Sequence, residues 1–330
     1  MEYLPLLNLL LEALAYLGRR AAGNTIQRLT ERLQSNGVTD LARFRQRLAP
    51  IETLMNELDR QLPIPEEELQ SLFGNLAGFP YNTIGSCCPA FLLFYPMTAH
   101  FSGNLAQTVA ELQKMSPERL AGSLAVSLDI ADEAQAGGTM SAGVFSERVL
   151  SLSVPAESKV AILDLYHRPE PVLQRASHYL EKAIRLLHQK QEAMEAICAT
   201  FTDALRQEGL EQFLSHTSSL TYRPELQYAV RPFLFGMDTN LSVTPWEGGS
   251  PVQVYCGILR EPLQAMLASS RGPTYEVYHA IKLLAARLVT CTVDGNRVYY
   301  TVDQASVSAL LDRQRELLLS AAPPPKKGGK

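Results

Sequence analysis

Apolar residues recur at helical spacing over most of residues 1–209, and cap-type residues or prolines stand ahead of the amphipathic stretches. Asn24-Thr25, Thr39-Asp40, Pro65-Glu66, Ser116-Pro117-Glu118 and Pro155-Ala156-Glu157 are the start signals. Asn36-Gly37 and Gly137-Gly138 read as turns. This pattern predicts roughly eight helices. The longest runs over residues 170–208, where Leu173, Leu180, Leu187, Met194 and Phe201 stand seven apart and Ala176, Ala183, Ile197 and Ala204 follow four of them by three. Such a seam fits a long helix packed on its own domain, or a dimerisation helix; Lys190 interrupts it.

The period then changes. Leu226, Tyr228 and Val230, Phe233 and Phe235, Leu241 and Val243, and Val252, Val254 and Cys256 alternate at two-residue spacing between turn-rich gaps, which predicts a small antiparallel sheet or part of one. A short helical stretch over residues 259–267 follows. Residues 323–330 form a Pro/Gly/Lys tail with little to bury, expected to be disordered.

Composition places the chain among folded proteins. Of its 330 residues 46% are hydrophobic and 19% charged, outside the regime of disordered chains, and the length suits two or three compact units. The net charge of −4 argues against a surface coated in positive charge. Residues 260–330 hold ten Lys/Arg against six Asp/Glu, a modest basic bias that owes three charges to tail lysines. Five scattered cysteines (Cys87, Cys88, Cys198, Cys256, Cys291) fit a reducing compartment, with each thiol a small buried hydrophobe. Glu2 and Glu12 interrupt the apolar N-terminal stretch and Arg19-Arg20 follow it, the reverse of a signal peptide, so the expectation is a cytoplasmic protein. The apolar run over residues 84–101 contains Pro89, Pro96 and His100 and reads as core rather than a membrane span.

Candidate enzyme chemistry is sparse. The chain has no G-x-G-x-x-G, P-loop or H-E-x-x-H motif. Gly138 to Gly143 has one residue too many for a nucleophile elbow, so Ser141 is expected to open a helix. His167, His178 and His188 are about three helical turns apart, too far to share a metal. The apolar neighbours of Cys87-Cys88 disfavour a reactive thiolate. The expectation is a non-enzyme without cofactor or metal.

Residues 273–319 carry the one specific constellation. Pro273-Thr274 opens a helix to about residue 287, with Val277, Ile281, Leu284, Ala285 and Leu288 on one face and Tyr275, Glu276, Tyr278, His279 and Lys282 on the other. The polar face suits contacts to bases or phosphates, a solvated surface, or a protein partner. Two alternating runs then flank Asp294-Gly295-Asn296, a strong hairpin signal. Asp303 caps a last helix to residue 319.

Pro273-Thr274, Tyr278-His279, Lys282-Leu283-Leu284, Leu288-Val289-Thr290 and the segment from Asp294 to Tyr300 resemble the recognition helix and wing of ArsR-type bacterial regulators. Leu310-Leu311-Asp312-Arg313 and Glu316-Leu317-Leu318 are similar to the helix after the wing. The resemblance implies a repressor that binds double-stranded DNA, with the recognition helix in the major groove and the wing tip on the backbone or minor groove. Its DNA-contacting residues would be Thr274, Tyr275, Glu276, Tyr278, His279, Lys282, Asn296 and Arg297. The chain departs from the family where a first helix is due, since residues 238–250 read as strand and turn. Arg287 stands where the family has a capping glycine, and the family's metal-binding cysteine pair is absent. A dimeric sensing or interaction module that has lost DNA binding is the alternative.

The expected fold is therefore mainly α. It comprises a helical N-terminal domain (residues 1–217) for sensing or dimerisation, a β-rich connector (218–258), a winged-helix element (259–320) and a tail (321–330). A homodimer is expected, because the 173–204 seam and the apolar face of the 303–319 helix each need a partner. A small-molecule effector of unknown identity is compatible with the N-terminal domain.

Overall fold

The computed structural model describes residues 2–3, 8–23, 25–35, 41–79, 87–128, 130–131, 138–208, 228–236, 241–243, 252–258, 289–294, 297–302, 304 and 308. It is mainly helical, with eleven α-helices among the described residues rather than eight. The chain divides into two compact units, one built from residues 1–35 and 39–265 and the other from residues 36–38 and 266–330.

In the first unit α1 (Leu9–Ala21) is surrounded. Every residue from Leu10 to Arg19 is buried, as expected of a helix that packs on all sides. The Asn8 side chain caps it by accepting from the Leu11 N–H at 3.2 Å. Around it pack α4 (Glu66–Phe73), the 3-10 helix Tyr95–His100 and α10 (Glu170–Gln189). Between these lie α2 (Ile26–Ser35), α3 (Ala42–Gln61), α5 (Pro89–Phe94), α6 (Leu105–Gln113), α7 (Pro117–Ser127), α8 (Ala142–Ser151) and α9 (Ala156–His167). α11 (Gln191–Glu208) follows α10.

Several helix starts sit where cap chemistry puts them. Pro117 is the first residue of α7 and Ser116 accepts from Arg119 N–H at 3.3 Å. Ser141 caps α8 through Val144 N–H at 3.4 Å, so the Gly138 to Gly143 segment is a helix-opening turn. The apolar run becomes α5 and the 3-10 helix, with Cys87 to Tyr95 buried apart from half-buried Pro89. Among the described residues no helix is long and apolar enough to cross a membrane.

The seam over residues 173–204 behaves differently from a single long helix. The chain breaks at Lys190 (φ −105°, ψ 9°), the residue that interrupts the heptads, and divides the stretch into α10 and α11. Leu173, Ala176, Leu180, Ala183, Leu187 and Met194 are buried within the chain itself, α10 lying against α1, α5 and α6. These positions are core, not a free dimer face.

The β-segment also differs from expectation. β1 (Glu2–Tyr3), β2 (Tyr228–Phe233), β3 (Leu241–Val243) and β4 (Val252–Gly257) form a mixed sheet in the order β1-β2-β4-β3. β1 and β4 both run parallel to β2, and only β3 is antiparallel to its neighbour β4. An antiparallel sheet is the natural reading of short strands with tight gaps. Parallel pairing instead needs a crossover, here residues 234–251, within which β3 folds back on β4. The sheet belongs to the same compact unit as the helices.

In the second unit β5 (Val289–Asp294) and β6 (Arg297–Val302) pair antiparallel around a two-residue loop. The expected short helix over residues 259–267 and the helix over 273–287 lie outside the described residues. So does the 303–319 helix, apart from helical positions Gln304 and Ser308.

Candidate functional site

Two places concentrate polar chemistry among the described residues, one in each unit. The first is the β5–β6 hairpin. Its register pairs Thr290 with Thr301, Thr292 with Tyr299 and Asp294 with Arg297. Along the two strands these six alternate in sequence with Val289, Cys291, Val293, Val298, Tyr300 and Val302. Asp294 and Arg297 are the last pair before the turn. Of the expected DNA-contacting residues Arg297 is the one described, as the first residue of β6. Thr274, Tyr275, Glu276, Tyr278, His279, Lys282 and Asn296 lie outside the described residues.

The second place is the polar stripe of α1. Asn8, Glu12 and Arg19 are spaced by four and seven, which stacks them on one helix face. Glu12 spreads its two carboxylate oxygens over the backbone of the segment after β2, accepting from Leu234 N–H at 2.8 Å and from Phe235 N–H at 2.9 Å. Arg19 donates from Nε to the Phe235 carbonyl. Asn8 donates from Nδ2 to the Thr98 carbonyl at 2.6 Å and to Tyr255 Oη of β4 at 3.1 Å. One helix thus satisfies backbone groups that the end of a strand leaves over.

Burial sets the protonation of this cluster. Removal from water pushes the Glu12 carboxyl up to about 8, against the opposing pull of the two N–H groups and Arg19. Burial likewise raises the Cys198 thiol of α11, helped by the charge of Glu12, and raises the Tyr255 phenol. Cys87 is pushed up to about 12 by burial and by its neighbour Cys88. Cys87 and Cys198 are therefore held as thiols rather than as the thiolate nucleophiles that catalysis would use.

Packing closes the stripe. Phe235 lies beside Tyr16 with ring centroids 5.4 Å apart, and a Cβ on Gly236 would come within 2.1 Å of the Phe233 ring. On the next face of α1 the Tyr16 hydroxyl donates to Asp59 at 2.6 Å, which Arg20 also approaches at 3.4 Å. Burial, and then the Asp59 carboxylate, hold that phenol above its ordinary range.

His167, His178 and His188 are exposed, and His188 pairs locally with Gln191. Among the described residues no three His, Cys, Asp or Glu side chains are grouped as a metal site would need. No family model, curated protein or solved structure matches this chain.

Sequence reasoning passed over the α1 stripe, reading Glu12 only as an interruption of an apolar stretch. The available signal was the spacing of Asn8, Glu12 and Arg19. Three polar groups on one face of a mostly apolar helix need partners inside the protein.

Proposed function

We propose that this chain is a cytoplasmic, homodimeric transcriptional regulator of the ArsR-like winged-helix type that acts as a repressor on double-stranded DNA. The observation that carries the reading is the β5–β6 hairpin, which lies where the resemblance expects a wing. It has a two-residue loop and brings Asp294 and Arg297 together beside the turn. In this reading Arg297 and Asn296 meet the DNA backbone at the wing tip. Lys282 reaches a phosphate, and Thr274, Tyr275, Glu276, Tyr278 and His279 face the major groove. The helical unit would bind a small-molecule effector or hold the two subunits together.

One observation favours a second reading. β3 falls within residues 238–250, where the family's first helix is due. A module that keeps the wing without the full helix-turn-helix would serve protein interaction or ligand sensing instead. A gel-shift assay with the DNA upstream of the protein's own gene separates the two. Salt-dependent binding at about 50 mM salt is expected of the regulator, and its absence selects the interaction module.

A further inference from the structure

We draw no further inference here: the strongest candidate, the apolar surface of α8 and α9 where Val144, Leu150 and Val160 are exposed, has nothing in the structure to show what covers it.

Discussion

The junction between α1 and β2 and the β5–β6 hairpin are both places where strands are held in register, but by opposite means. The hairpin is local: a two-residue loop and six successive cross-strand pairs fix it, and its amphipathic alternation could be read in one short window. The junction is long-range: Glu12 and Leu234 are 222 residues apart, and the strand end is held by side chains of a buried helix. In the first case turn chemistry sets the geometry, and in the second burial does. The junction should therefore be sensitive to single substitutions that the hairpin tolerates.

Four predictions would break or sharpen that contrast. The largest effect belongs to the core that encloses α1. Leu180→Ala, at a fully buried position of α10, should lower stability by about 2–5 kcal/mol in urea unfolding, whereas Val302→Ala, half exposed at the hairpin's end, should change it by less than about 0.5 kcal/mol. Comparable losses at both would erase the distinction. Next comes Gly236→Ala, which forces a methyl against the buried Phe233 ring and should cost about 1–3 kcal/mol by the same measurement. A neutral result would show that this part of the junction is loosely packed.

Asn8→Ala removes the cap of α1 and two further hydrogen bonds, leaving Tyr255 without its Asn8 donor; a loss of about 2 kcal/mol is expected in thermal unfolding. The smallest effect on folding belongs to the hairpin turn. Arg297→Ala should leave the melting temperature within about a degree. Under the DNA-binding reading the same variant should also reduce the slope of log K against log salt by up to about 2 for a dimer. A strong loss of stability from this substitution would make Arg297 a structural residue.

What the sequence made legible divides along the same line. Local signals held: Ser116 with Pro117 and Ser141 each cap a helix, and the alternating runs either side of Gly295-Asn296 pair as antiparallel strands. Lys190 was visible as a fault in the heptads, yet only the structure shows that the helix ends there. The parallel pairing of β2 with β4 and the addition of β1 were not legible, because alternation marks a strand without naming its neighbour. The α1 stripe lay hidden for a related reason. A glutamate in an apolar stretch is ambiguous until a distant segment supplies its hydrogen-bond partners. Of the eight residues expected to meet DNA, the described structure contains Arg297, so that part of the reading rests on the resemblance and the hairpin.

The pairing of β1 with β2 and the grip of Glu12 on Leu234 have a consequence for the protein's birth. α1 is synthesised ahead of the strand that its polar groups serve, whose end comes 222 residues later. At about 5–20 residues per second, that is a wait of roughly 10–45 s. Throughout that interval Glu12 and Arg19 have no strand end to hold, and they must stay hydrated or find temporary partners. The nascent helix is thus kept from settling early into a dry core, and final closure of the first unit is deferred until β2 and its following turn have emerged.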